Sequence, residues 1–326
     1  MNPHALLSQL ADGRFHSGED LAAAFGVSRA AVWKQLKQLQ TRPGIVVHAV
    51  RGRGYRLATP LELLDVERLG DELGEHGRHL SDTEVLQIID STSAYLMAQP
   101  APAIGRGRVC LAEHQTAGRG RRGRQWLSGF GHNLTLSLAW TFDLPMARLS
   151  GLSLAAGVAL ADALHETGVQ GLSLKWPNDL YLDGRKLAGL LVEASGEANG
   201  PSRAVIGIGI NLRVDPETAT AIDQPWADLH GQFGDCPPRN RIAGRVLARL
   251  VDACQRYAEQ GLAPFLAEWQ RYDLYLGSQV QLSLGEQLIN GRYVGLNDEG
   301  NLLLDTLDGR RSFAGGEVSL RPAGAA

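Results

Sequence analysis

Apolar positions recur at helical spacing through the first forty residues, and then the period changes. Leu6, Leu7 and Leu10 mark a helix over 5–10. Leu21 and Phe25 mark a second, capped by Ser17 with Asp20 as its capping-box partner and ended by Gly26. Ser28 caps a third helix that starts at Arg29, with Val32, Leu36 and Leu39 as its apolar stripe. Residues 45–50 and 55–57 then read as strands about the turn Arg51-Gly52-Arg53-Gly54. Helix, glycine turn, helix and hairpin predict a winged helix-turn-helix over residues 1–62.

A connector with some helix follows over 58–82. Beyond it, strand-like and helix-like stretches alternate. Strands are expected over 85–90, 109–112, 134–140, 172–176, 180–192 and 205–212, with an Asp183-Gly184 hairpin turn. Ser91-Thr92-Ser93 opens a helix at Ala94, and further helices are expected over 151–165 and 242–260. The pattern predicts an α+β fold whose sheet is largely hairpin-connected.

Composition narrows the class. The chain has 326 residues, 44% hydrophobic and 21% charged, values of a globular protein of two or three domains and not of a disordered one. Cys110, Cys236 and Cys254 are scattered and make no CxxC pair, which points to reduced thiols and offers no zinc spacing. No apolar run reaches the ~18 residues of a membrane span, and the N-terminus carries no basic lead into an apolar core. A cytoplasmic protein without a membrane partner is expected. Charge is uneven: residues 1–63 hold eight Arg or Lys against four Asp or Glu, or +4, so with −3 for the whole chain the remainder carries −7. A basic head with a helix-turn-helix pattern suits DNA. Arg29, Trp33, Lys34 and Lys37, off the apolar stripe, and Ser28 at the helix start are the base and phosphate candidates; Arg51 and Arg53 at the wing tip suit a phosphate backbone.

Three motifs in the body carry chemistry. Residues 118–124 read Gly-Arg-Gly-Arg-Arg-Gly-Arg. Gly118, Gly120 and Gly123 fit GxGxxG, but Gln125 to Gly131 is too glycine-rich to open the helix a dinucleotide site requires. What remains is a loop where glycine admits close backbone approach and arginine supplies forked donors for carboxylate or phosphate. Its repelling charges predict mobility until an anion binds. Of 32 basic residues only four are lysine, and the only two outside the head, Lys175 and Lys186, lie close together in Lys175-Trp176-Pro177-Asn178-Asp179 and the hairpin after it. Gly189 sits three residues beyond Lys186, where a bulky group can approach the backbone. In the strand 205–212, Ile206, Ile208, Ile210 and Leu212 face a core, leaving Gly207, Gly209 and Asn211 as a flat floor with a polar end.

The arginine loop with Trp126 after it, KWPNDLYLDGRKLAG, the GIGIN strand, Asp90-Ser91-Thr92 and a C-terminal GGEVSLR together resemble the biotin–protein ligases. With the winged helix, the resemblance is to the bifunctional form that is also a biotin-operon repressor, and it covers nearly the whole chain. It implies a ligase domain over 63–272 and a C-terminal SH3-like barrel over 273–326, with short strands near 279–284, 291–296, 301–306 and 311–313. It also implies ATP-dependent synthesis of biotinyl-5′-AMP with Mg²⁺, then transfer to a lysine of the biotin carboxyl carrier protein of acetyl-CoA carboxylase. By the same resemblance Ser91, Thr92, Ser93, Gln115, Arg119, Gly120, Arg121, Lys186, Gly189, Gly207 and Gly209 are biotin-side positions. Arg119, Arg121, Arg122, Trp126, Lys186, Asn211 and Trp226 are nucleotide-side positions. Lys186, Arg119 and Arg121 are the catalytic candidates, no metal ligands are assigned, and Ser93 departs from the family's usual Asn. The adenylate-bound form is expected to dimerise on operator DNA. A lipoate or octanoate transferase of the same fold, a regulator with an inactive ligase core, and a ligase whose head binds only protein stay open at this point.

Overall fold

The computed structural model describes residues 3–197, 199–234, 236–285, 287–315 and 318–322. Gly316 and Glu317 of the GGEVSLR motif, and residues 323–326, lie outside the described residues.

Three helices, α1 (Pro3–Leu10), α2 (Gly18–Ala24) and α3 (Arg29–Leu39), precede a hairpin of β1 (Val47–Val50) and β2 (Gly54–Leu57). The caps are those the sequence predicts: Ser17 Oγ accepts from the Asp20 N–H at 3.0 Å and Ser28 Oγ from the Ala31 N–H at 3.2 Å. Val32, Leu36 and Leu39 are buried against Leu6, Leu7, Leu10 and Leu21. The hairpin pairs Val50 with Gly54, and a bridge between His16 and Tyr55 adds a third strand position beside it.

The connector forms α4 (Val66–Leu73), capped by Asp65, and leads into β3 (Leu80–Ile89), which starts five residues earlier than expected. It is pinned by buried charge. Glu113 accepts from the Leu64 N–H at 2.7 Å and pairs with Arg239, whose backbone N–H and guanidinium also reach Glu62. With both members of the pair buried, each depends on the other and on these extra hydrogen bonds for its charge to be tolerated.

The body then adds α5 (Thr92–Ala98), β4 (Gly107–Gln115), β5 (Leu134–Phe142), α6 (Leu152–Glu166), β6 (Leu172–Lys175), β7 (Asp179–Leu182), β8 (Arg185–Gly196) and β9 (Ser202–Ile210). Two short helices, α7 (Pro216–Ala221) and α8 (Leu229–Phe233), and two longer ones, α9 (Arg239–Gln260) and α10 (Ala263–Tyr272), complete it. Seven strands form one sheet in the order β3-β4-β5-β9-β8-β7-β6, antiparallel throughout except for β3 beside β4. The expected hairpin connectivity is present, and Asp183 and Gly184 both take positive φ at the β7–β8 turn, as a two-residue turn of that hand requires. Strand alternation splits the sheet into two faces. Leu134, Leu136, Leu138, Ile206, Ile208 and Ile210 face α6 and α9. Ser137, Gly207 and Gly209 face the other way, alongside α5. The segment Met146–Glu166 is long and apolar enough to cross a membrane, but 67% of its apolar 18-residue window is buried inside the fold, the behaviour of a core helix that is apolar all round.

Beyond α10 come β10 (Gln279–Leu284), β11 (Gln287–Leu296), β12 (Leu302–Thr306), β13 (Gly309–Phe313) and β14 (Val318–Pro322), an antiparallel sheet in the order β13-β12-β11-β10-β14. It is tied to the body where Trp176 Nε1 donates to the Gly300 carbonyl at 3.0 Å and the Leu274 N–H to the Leu174 carbonyl at 2.9 Å.

Candidate active site

The face of the sheet that carries α5 holds a cleft of about 520 Å³. Its floor is set by register: Ser137 lies opposite Gly207, Thr135 opposite Gly209, and Gly209 opposite Gly189 on the next strand. A Cβ at Gly209 would come within 2.3 Å of the Trp126 ring and one at Gly207 within 2.4 Å of Ser93 Oγ, so a side chain at either position would have to displace that neighbour. At the Gly207 end the polar groups interlock. Gln115 Oε1 accepts from the Thr92 N–H at 2.8 Å and from Thr92 Oγ1 at 3.0 Å, while Ser137 Oγ lies 2.7 Å from Thr92 Oγ1 and 2.9 Å from Ser93 Oγ. Ser91 is the N-cap of α5 and lines the same end. The hydroxyl of Ser93 thus finds a partner in Ser137, a fully buried residue that no sequence motif singled out.

At the other end Trp126 covers the floor, and its Nε1 is buried without a hydrogen-bond partner among the described residues. The arginine loop folds back on itself: the Trp126 N–H donates to the Gly118 carbonyl at 2.9 Å and the Gly120 N–H to the Arg124 carbonyl at 2.8 Å. Its arginines are also tethered to neighbouring elements. Arg119 pairs with Glu193 at 2.8 Å, and Arg121 donates to Asn178 Oδ1 at 2.9 Å and to the Gly315 carbonyl of the C-terminal sheet. Gly120 and Arg122 line the cleft beside them.

Lys186 Nζ lies 2.8 Å from Asp179 Oδ1, with the two side chains 13% and 18% exposed. Residues three apart in a regular strand face opposite sides, yet Lys186 and Gly189 both line the cleft. The cause is a bulge: Leu180 pairs with Ala188 but Tyr181 with Lys186, which leaves Leu187 as the extra residue. Lys175 stands nearby, donating to Tyr181 Oη at 3.1 Å. Burial pushes its ammonium below the usual lysine value, with Lys186, Arg321 and Arg124 adding to the shift and Asp179 opposing it.

Comparison with known proteins decides what such a cleft belongs to. Residues 85–211 match the biotin/lipoate A/B protein ligase family, residues 4–56 an HTH domain and residues 275–321 the biotin protein ligase C-terminal domain. The chain is 40% identical to the bifunctional ligase/repressor BirA of Salmonella typhimurium and 39% identical to that of Escherichia coli, over 98% of each chain in both cases. A biotin protein ligase from Aquifex aeolicus, solved in complex with biotin and ATP, superposes with a TM-score of 0.63 at 32% identity over 74% of this chain and 100% of that one. The chain belongs to the biotin protein ligases, in their bifunctional ligase/repressor form.

For a biotin protein ligase, two of the expected nucleotide-side residues sit off the cleft wall. Asn211 is buried, and its Nδ2 donates to the Ala227 carbonyl at 3.2 Å. Trp226 bridges Lys186 through the backbone, while Asp223, Gln224 and Pro225 just before it form the wall. Tyr275, Leu320 and Arg321 reach the cleft from the C-terminal part of the chain. Leu320 and Arg321 belong to the GGEVSLR motif, yet neither they nor Tyr275 stood among the site candidates, because a motif does not reveal that its strand comes back to a cleft in another part of the fold.

The head presents Ser28, Arg29, Trp33, Lys34, Lys37 and Arg51 as exposed residues. Trp33 is 54% exposed, with Lys37 Nζ 5.1 Å from its ring. Ser28 Oγ is already engaged as the α3 cap. Arg53 is exposed but folds back, its guanidinium 4.2 Å from the Phe15 ring, with Arg56 over the same ring at 5.0 Å.

Proposed function

We propose that the chain makes biotinyl-5′-AMP in this cleft, passes the biotinyl group to a lysine of a biotin carboxyl carrier protein, and represses transcription with the adenylate as corepressor. The observation that carries the reading is the convergence of an arginine loop, a glycine floor with a polar end, and a half-buried lysine–aspartate pair on one cleft. The ring system of biotin suits the flat floor, and its ureido group suits Ser91, Thr92, Ser93 and Gln115. Its carboxylate then points toward Lys186, Arg119 and Arg121. In adenylation a carboxylate oxygen bonds to the α-phosphorus of ATP and pyrophosphate leaves; in transfer the lysine amine attacks the acyl carbon and AMP leaves. Neither step needs an enzyme nucleophile, so the residues act by positioning and by opposing negative charge. Lys175 and Arg321 also line the cleft and add positive charge that the leaving pyrophosphate could meet.

Among the described residues no group of three or more His, Cys, Asp or Glu is placed to hold a metal. A magnesium ion carried on ATP asks for less: one or two carboxylates, phosphate oxygens and water. Asp179, with Asn178 beside it, fits that role. Such an ion would supply neutralisation of phosphate charge.

The acceptor reading draws on a relative named biotin–[acetyl-CoA-carboxylase] ligase from Mycobacterium tuberculosis, 36% identical over 77% of this chain and 92% of its own. We take residues 1–62 as the DNA-binding unit, 63–272 as the ligase and 273–326 as the C-terminal unit. One head offers few contacts, so a homodimer on two-fold operator DNA, with no membrane partner and in the cytoplasm, completes the proposal. The test is ATP–pyrophosphate exchange. Exchange that needs biotin supports the reading, while exchange driven by lipoate or octanoate, or none at all, overturns it.

A further inference from the structure

Phe130 belongs to the body by sequence but to the head by packing. It lies between the arginine loop and β5, is fully buried, and is part of the apolar core formed by α1, α2 and α3. Its N–H donates to the Pro43 carbonyl at 2.9 Å. The Arg42 guanidinium covers its ring at 4.7 Å, and Arg42 Nη2 donates to Gln87 Oε1 on β3 at 3.3 Å. Two residues further along the head, a Cβ on Gly44 would come within 2.7 Å of His132 Nδ1. The turn that ends the DNA-reading helix therefore grips the segment 129–132 from several sides.

Four residues upstream of Phe130 stands Trp126, whose ring lies on the glycine floor. Four residues of extended chain span at most about 14 Å. The two aromatic anchors, one in the ligand cleft and one in the head, are thus on a short tether.

We propose that Phe130 is a positioning residue that couples closure of the arginine loop and Trp126 over bound adenylate to the placement of the winged head. The proposal rests on the ligase and repressor reading above and adds a path inside one protomer. Closing the lid fixes segment 127–132, and Phe130 carries that restraint into the packing beneath α3. Such linkage is reciprocal: a head that is held in place also holds the lid.

Amide hydrogen exchange in the full chain tests this, with and without biotin and ATP, in the parent, Phe130→Ala and Arg42→Ala. Arg42→Ala leaves the apolar core filled, so the comparison survives if Phe130→Ala unfolds the head. Protection at residues 115–126 reports the cleft, and the change at residues 29–57 reports the head. In the parent both respond to ligand. In the variants the cleft still responds, the head's response falls at least about fivefold, and preformed adenylate leaves about fivefold faster or more, the lower end of coupling between linked sites. A parent head indifferent to ligand, or variant heads that respond as the parent does, overturns the coupling while leaving the ligase reading in place. No cleft protection in the parent overturns both.

Discussion

Lys186 and Asp179 are held at 2.8 Å with most of each side chain covered, so their pairing is screened less than that of a fully exposed ion pair. In the proposed reaction an incoming carboxylate and phosphate would compete with Asp179 for the ammonium, so that one lysine could serve both the ground state and the more charged transition state. Lys186→Ala is expected to fold and to slow biotin-dependent pyrophosphate exchange by about two to three orders of magnitude. Near-parent exchange would remove Lys186 from the chemistry. Gly209 gives a second residue-level test. A methyl group there meets Trp126 at 2.3 Å, and forcing the ring away carries an overpacking cost of ~1–3 kcal/mol. Gly209→Ala should raise the KM for biotin about tenfold and change the KM for ATP much less, as initial rates with each substrate varied would show.

Among the elements, β8 and α3 show opposite degrees of legibility. In α3 the caps, the stripe and the exposed cations all follow from residues within one or two turns of one another, and the structure has them where the pattern predicts. In β8 alternation alone would separate Lys186 from Gly189, and only the pairing with β7 reveals the bulge at Leu187 that brings them to one side. For α3 the prediction is electrostatic. Arg29→Ala, Lys34→Ala and Lys37→Ala should each lower the slope of log affinity against log salt by about 0.9 on duplex DNA, if each contacts one phosphate. Arg53→Ala should change it less, because that guanidinium is folded onto Phe15. A slope unaltered by all three α3 variants would place the phosphate contacts elsewhere.

Across the whole molecule, head and body meet at a junction that contains two buried histidines. His114 lies with its Nδ1 3.0 Å from the Ser128 carbonyl oxygen, and His132 sits against Gly44 and Gly129. Burial pushes both imidazoles below the ordinary value of 6.5; the Ser128 hydrogen bond opposes the shift at His114 and Asp215 opposes it at His132. As pH falls through 6.5, the unfolded chain takes up these protons before the folded one does. The unfolded state then binds more protons, so stability declines with acidification until the folded values are passed. The thermal midpoint should therefore drop between about pH 6.5 and 5, and His132→Asn should flatten that part of the profile. An unchanged profile in the variant would mean that other groups set the acid limb.

The sequence by itself determined what is local: the capped helices of the head, the period change into the wing, the Asp183-Gly184 turn, and the Ile-facing strand that leaves Gly207 and Gly209 bare. Each of these depends on dihedral preferences and side-chain spacing within a few residues, so the pattern along the chain contains the needed information. It also placed most of the cleft residues through motifs that lie far apart in the chain. Tertiary structure alone decided which partners those residues meet. Glu193 for Arg119, Asn178 and Gly315 for Arg121, Trp126 for the glycine floor, and Ser137 behind Ser93 are contacts across 44 to 194 positions or between neighbouring strands. Asn211 shares the floor's alternation, yet its side chain is engaged by the Ala227 carbonyl, which no spacing rule foretells. Phe130 is the clearest case. Its apolar character says only that it is buried; that it is buried in the head follows from how two distinct apolar cores share a boundary.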